Sequence, residues 1–502
     1  MQRKIFKKLM AASLAAVMTV GLAACGNEAG DASDNSGNTS QESNDNAGDD
    51  SSTPDTPDTP DASDEGGDVS AYPVINDPAT GEPYDLGGIN VVIYSWFGDT
   101  TSDDDFGEAQ AEYREWLTET YNFTVERQSL GGWSDCPQAF VDYVTTGGDD
   151  NYYIFEQHDG SAATSAMQQG LMYDLSTLDC LDFSDAKYTR NNLHEWFTKD
   201  GSIYAFRAGF PEPRGGIYFN TRLLKDAGID PDDIYDMQAD GTWTWEAFEN
   251  LLKQVQRDVD NDGVTDIYGF AANWGDFYLK AAISNGGELV GKDADGKYTY
   301  RLEDPETLEA FEWAVNLNHN YGYAQPEGTE WNYFIAAFRD EGKIAFLPEE
   351  AYNMNQDLNA MEDDFGFVMF PKGPKADGYI NNYHDNVLAI PACYDADKAW
   401  KIAFAYDLWN EDVPGFEGYN SLLSGYYDAA RDTRTVEETI ERMMSEGGSL
   451  TYDSFIPNLD KGNHLFWTGD FNSGEIAAAC EATRDAWMQY IDDANNKAVG
   501  AE

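Results

Sequence analysis

The sharpest chemical pattern in the chain is Asp258-Val259-Asp260-Asn261-Asp262-Gly263-Val264-Thr265-Asp266. Alternate carboxylates on a loop turned by glycine present a ring of oxygens, the donor set that the hard Ca²⁺ ion prefers. The side chains of Asp258, Asp260, Asp262 and Asp266 and the carbonyl of Val264 are the candidate ligands. A full EF-hand loop carries a bidentate Glu at its twelfth position, and that position here is Gly269. The pattern is therefore a truncated Ca²⁺ loop or a solvated acidic turn. Without metal, four close carboxylates repel one another. A structural role is expected for any bound Ca²⁺, and no cofactor is required.

Other chemistries leave weaker marks. The sequence has no Ser-His-Asp order, no HExxH zinc helix and no phosphate-cradling glycine loop. Its five histidines show no ligand spacing. A glycoside hydrolase needs two carboxylates set across a cleft. With 92 acidic residues the sequence cannot single out such a pair, so an anchored hydrolase stays open as an alternative to a non-enzymatic reading. Aromatic residues are abundant, with 13 Trp and 30 Tyr, and flat aromatic faces rimmed by polar groups suit sugar rings. Most of these rings are expected in the core.

Charge narrows the partners. The formal net charge is −61, and residues 71–502 alone hold 79 acidic against 27 basic side chains, or −52. Such a surface repels nucleic acid and anionic headgroups. It suits neutral or cationic small molecules.

Several elements would position these residues. An apolar β-prone run at 90–95 is followed by Trp96 and Phe97. A helix is expected over 106–120 and a second strand from Phe123. The run ending at Phe155 leads into a loop with His158 and Asp159. This strand-loop-helix order reads as a mostly parallel α/β sheet, in which ligands lie beyond the carboxyl ends of strands. Trp274 follows a strand at 268–270, Tyr352 follows one ending near Phe346, and Trp467 precedes the last helix. Packing inside the protein competes with ligand contact for each of these rings.

The most regular stretch runs from Arg214 to Val255. Asn220 is expected to cap one helix and Gly228 to end it. Thr244 is expected to cap the next, whose face carries Trp245, Phe248, Leu251, Leu252 and Val255. As text, Tyr218-Phe219-Asn220, Leu223-Leu224-Lys225-Asp226-Ala227-Gly228 and Thr244-Trp245-Glu246-Ala247-Phe248 resemble the signature of family 1 extracellular solute-binding proteins of ABC importers. Further blocks resemble it in order: Gly201 to Phe206, Phe338 to Phe346, Gly366 to Pro374 and Ala399 to Phe404. The block from Gly147 to Leu175 also resembles the family's, but lacks its usual Pro-Asp before the strand.

The N-terminus agrees. Arg3, Lys4, Lys7 and Lys8 precede an apolar run, and Leu22-Ala23-Ala24-Cys25 matches the bacterial lipobox. Residues 1–24 would be a lipoprotein signal peptide, with Cys25 the lipidated residue. Residues 25–70, rich in Asp, Ser, Gly, Thr and Pro, read as a disordered acidic tether.

The resemblance implies a periplasmic-binding-protein-like α/β fold, two lobes joined by a hinge with a ligand cleft between them. Lobe 1 would comprise 71–210 and 386–412, and lobe 2 211–385 and 413–502. Arg214 would sit by the cleft. It implies a monomeric, non-enzymatic receptor on the outer face of the bacterial cell membrane. Such a receptor would capture a carbohydrate, an oligosaccharide by preference, and deliver it to an ABC permease. A non-sugar polar or cationic solute stays open, and a surface adhesion protein finds no support in repeats. Cys136, Cys180, Cys393 and Cys480 could be paired or free.

Overall fold

A computed structural model describes residues 72–99, 104–158, 160–380, 382–383, 386–446, 449–457, 459 and 465–497. Cys25 and Asp159 lie outside the described residues. The elements used below are, in chain order, β1 (Ile89–Ser95), α1 (Asp105–Tyr121), β2 (Phe123–Ser129), α2 (Cys136–Thr145), β3 (Tyr152–Gln157) and α3 (Gly160–Gln168). They continue with β4 (Gly215–Asn220), α4 (Trp245–Val255), β5 (Tyr268–Phe270), α5 (Trp274–Ser284) and α6 (Pro305–Tyr321). Last come β6 (Ile344–Glu350), β7 (Phe365–Met369), β8 (Val387–Ala389), α7 (Ala396–Trp409) and α8 (Ile476–Asn496).

Two four-stranded sheets organise two α/β lobes. The first has the order β8-β3-β1-β2, with β1, β2 and β3 parallel and β8 antiparallel. Its inner strands β1 and β3 are largely buried on both faces, as strands covered by helices on each side must be. Val91, Ile93 and Ile154 pack with Leu117 and Phe404, while Phe155 packs the opposite way with Phe140 and Ala163. The second sheet has the order β7-β4-β6-β5, with β6 antiparallel to β4 and parallel to β5. Phe219, Phe346 and Phe270 join Phe248 and Trp243 on one face. Tyr218, Leu347 and Phe367 join Phe338 on the other.

Local signals act where the sequence places them. The side chain of Asn220 accepts from Leu223 N at 3.0 Å, and Gly228 takes φ +77° just past that helix. Thr244 Oγ1 accepts from Ala247 N at 3.3 Å and opens α4, which buries Trp245, Phe248, Leu252 and Val255. Asp304 stands before α6 but its side chain turns to Arg301 at 3.3 Å and caps nothing. The four cysteines at 136, 180, 393 and 480 are free.

Register fixes which sheet ends face each other. Phe206 bridges Leu388 antiparallel, so the chain leaves the first sheet at the carboxyl end of β3, where Val387 of β8 lies opposite Gln157. It enters the second sheet at Gly215, opposite Glu350, and β7 ends beside it with Met369 opposite Gly216. Both crossings thus join the carboxyl ends of β1, β2 and β3 to the carboxyl ends of β5, β6 and β7. α5 lies across this second end. It begins just after β5, and its last residue, Ser284, accepts from Gly373 N at 2.7 Å beyond β7.

Candidate functional site

Beyond β1 and β3 the first lobe carries an aromatic group. Trp133 stacks on the His158 ring at 3.8 Å between centroids and 18° between planes. Trp96 meets the same imidazole edge-on at 5.6 Å, and Phe97 lies 5.8 Å from Trp96. The Arg127 guanidinium sits 4.6 Å over Phe97. His158 is buried, but Trp133 is 56% exposed and Phe97 39%. Two large apolar rings left open over a buried support are a surface for stacking a flat ligand. Trp96, Phe97 and His158 were visible as residues following strands. Trp133 was missed; its only signal is a Trp after Gly131-Gly132, just past β2.

Under this platform lies a buried charge centre. Glu156 is fully buried and faces the α1 and α7 side of the sheet. It accepts from Ser95 Oγ at 2.6 Å, pairs with Arg127, and receives Arg207 at 3.2 Å. Arg207 also donates to the Asn386 carbonyl at 3.2 Å. Arg207 belongs to the outgoing crossing and Asn386 ends the returning one. Glu156 therefore ties the sheet under the platform to both connections between lobes.

The second lobe presents a different surface. Lys280 of α5 is buried and pairs with Glu350 at 2.7 Å. Burial pulls the Lys280 ammonium down, but Glu350, Asp276 and Glu349 outweigh this and hold it above its ordinary value. A Cβ on Gly215 would stand 1.9 Å from Lys280 Cε, so any larger residue at the start of β4 must push the end of the lysine aside. Burial pushes the Glu349 carboxyl up to about 8, with Lys280 opposing and Glu350 and Asp276 adding to the rise. Tyr352 follows β6, and burial, then Glu349 and Glu350, push its phenol up to about 12. Arg214 pairs with Glu212 at 2.9 Å and lies 6.0 Å from the Tyr352 ring.

Trp274 is half-buried. Its ring packs edge-on to Phe270 at 5.4 Å and its Nε1 donates to Tyr333 Oη at 3.0 Å, so this ring is largely taken up by lobe 2 itself. Trp467 is 57% exposed and lies near the start of α5, where a Cβ on Gly275 would be 3.9 Å from its ring.

The Asp258–Asp266 loop sits elsewhere. It joins α4 to the start of β5, at the end of the sheet away from the crossings. Oxygens of Asp258, Asp260 and Asp262 come within 4.8 Å of one another. Asp258 accepts from Asn261 N and Gly263 N at 2.7 Å each, and Asp266 accepts from Val259 N at 2.7 Å. These backbone bonds, Gly263 first, hold the Asp258 carboxyl below its ordinary value. Val264 is exposed.

A family model described as bacterial extracellular solute-binding protein matches residues 108–407. Among curated proteins no sequence matches. Solved structures share the fold. UgpB from Mycobacterium tuberculosis, in complex with glycerophosphocholine, is 16% identical with a TM-score of 0.56, covering 81% of this chain and 100% of its own. A sugar transporter from Rhizobium etli in an open conformation is 16% identical with a TM-score of 0.52, covering 81% and 99%. A cyclo/maltodextrin-binding protein with maltotetraose is 14% identical with a TM-score of 0.51, covering 82% and 98%. The family and these neighbours are binding proteins. Among the described residues no helix is long and apolar enough to cross a membrane.

Proposed function

The chain belongs to the bacterial extracellular solute-binding proteins, and on that premise we propose that it is a non-enzymatic receptor for a carbohydrate, an oligosaccharide by preference. One observation carries the choice of ligand: the exposed rings of Trp133 and Phe97, grouped with Trp96 and His158, at the sheet end where both crossings meet. A pyranose ring stacks its C–H face on such a platform and turns its hydroxyls to the polar rim. Closing lobe 2 on lobe 1 about the two crossings removes water from that contact and completes the binding site.

Cys25 would carry the lipid anchor, and the acidic tether would hold the receptor near the ABC permease that takes its ligand. The receptor acts as a monomer. A Cys25→Ala chain should appear in the culture medium rather than in the membrane fraction. The Asp258–Asp266 loop would take Ca²⁺ as a structural ion. Asp258, Asp260, Asp262, Asp266 and the Val264 carbonyl would be its ligands, well away from the ligand cleft. Added Ca²⁺ should raise the melting temperature of the natural protein and leave that of an Asp258→Asn, Asp262→Asn variant unchanged.

The test of the receptor reading is a thermal-shift and calorimetric screen against mono- and oligosaccharides. A ligand that binds only the native state raises the melting temperature with its concentration. Saturable binding of one glycan class, recovered intact, is the expected result. Recovery of a cleaved glycan would make the protein a hydrolase, and silence towards every sugar would remove the carbohydrate.

A further inference from the structure

At the lobe-facing end of the second sheet the carboxyl groups of Glu212, Glu349, Glu350 and Asp276 outnumber the two cations paired there among the described residues. Lys280 is taken by Glu350 at 2.7 Å, and Arg214 by Glu212 at 2.9 Å. Glu349, 7% exposed, has no cation within ion-pair distance among the described residues. It accepts one hydrogen bond, from the backbone N–H of Glu350 at 2.9 Å. Its other carboxylate oxygen makes no hydrogen bond and keeps a little contact with solvent, so a group arriving from outside can reach it. Asp276, on the first turn of α5, likewise has no cation within ion-pair distance among the described residues; it accepts from Asn273 Nδ2 at 3.0 Å. Tyr352 stands beside both glutamates, an aromatic face of the kind that attracts cations.

Lys280 acts on Glu349 only from beyond ion-pair distance, and a buried carboxyl without an ion pair of its own is costly; proteins keep such groups mainly where something else supplies the charge. Here that something must come from outside the lobe. We infer that Glu349, with Asp276 and Tyr352, receives an ammonium group of the ligand, so that the carbohydrate this receptor prefers is an amino sugar. The inference rests on the carbohydrate reading for the sugar and on lobe 2 alone for the ammonium. In the free protein burial holds the Glu349 carboxyl up to about 8, so at neutral pH it carries its proton. An arriving ammonium favours the carboxylate, and the proton passes to the buffer.

The experiment is isothermal titration of the purified protein at pH 7, in two buffers of different ionisation enthalpy. The ligands are β-1,4-linked glucose oligomers, the matching β-1,4-linked glucosamine oligomers, and spermidine. The expected result is that glucosamine oligomers bind at least tenfold more tightly than their glucose counterparts. Spermidine, fully charged at pH 7, should release up to one proton; glucosamine amines, only partly protonated at pH 7, take up part of the proton that Glu349 gives and release less, and the preference for them should fall below threefold in Glu349→Gln. Equal binding of the two sugar series, with no proton release, would overturn the inference and leave the carbohydrate receptor standing. Binding of spermidine with proton release, and of no sugar, would keep the ammonium site and remove the carbohydrate. No response to any amine would overturn the ammonium site outright. Because the glutamine is neutral and of the same shape, Glu349→Gln should fold. Its urea unfolding midpoint at pH 4.5 should match that of the natural protein and serves as the control.

Discussion

Replacing Glu349 by glutamine should stabilise the protein, and by an amount that grows with pH. In the folded chain burial raises this carboxyl from an ordinary value of 4.5 to about 8. Between those two values the unfolded chain has lost the proton and the folded chain keeps it. The folded state then binds more protons, so stability falls as pH rises through this window. Each unit of difference is worth about 1.4 kcal/mol. The penalty is near zero at pH 4.5, about 3 kcal/mol at pH 7, and levels at roughly 5 kcal/mol above pH 8. Glutamine keeps the shape of the neutral acid and cannot ionise, so Glu349→Gln escapes the penalty. Urea unfolding of both proteins at pH 4.5, 7 and 8.5 measures it. The two curves should coincide at pH 4.5, with the variant ahead at pH 7 and further ahead at pH 8.5. A difference that does not change with pH would mean that Glu349 ionises normally in the fold, and the argument from its burial would be refuted.

Glu156→Gln should cost about 3–5 kcal/mol, because it leaves Arg127 and Arg207 facing each other around a buried site; a loss under about 1 kcal/mol in chemical unfolding would show that solvent already serves these charges. Trp133→Ala should leave the melting temperature almost unchanged, since the ring is 56% exposed. It should nevertheless weaken the glycan found in the screen by about 2 kcal/mol, or roughly thirtyfold; unchanged affinity would move the binding platform elsewhere. Gly215→Ala should destabilise the protein by displacing Lys280 from Glu350, read as a lower urea midpoint, and a neutral result would mean that the lysine has room to step aside. Thr244→Ala should cost about 1 kcal/mol through loss of the α4 cap, and Thr244→Ser should restore it.

Local chemistry made much of the fold legible before any coordinates. Asn220 and Thr244 sit before helices because a short polar side chain can reach an unpaired backbone N–H two or three residues on, which needs no distant partner. The spacing of Trp245, Phe248, Leu252 and Val255 announces a buried helix face by geometry alone. Trp96, Phe97 and His158 could be suspected because each follows an apolar run. Asp304 stands before α6 with a capping residue's chemistry and makes no cap bond, since Arg301 nearby competes for its carboxylate.

What the sequence alone determined, then, were properties that a few consecutive residues settle among themselves: strand, helix, cap, and the acidic loop. The functional ends were decided by tertiary structure. Trp133 joins Trp96 and Phe97 only because β2 and β3 both pair with β1 in parallel and bring their carboxyl ends together. Glu349 is an ordinary glutamate in the text of the chain. It becomes a buried acid without an ion pair of its own because α5 lies across the end of the second sheet and commits Lys280 to Glu350. Burial and pairing are properties of distance in space. Residues 70 apart in sequence, as Lys280 and Glu350 are, acquire them only when the chain has folded.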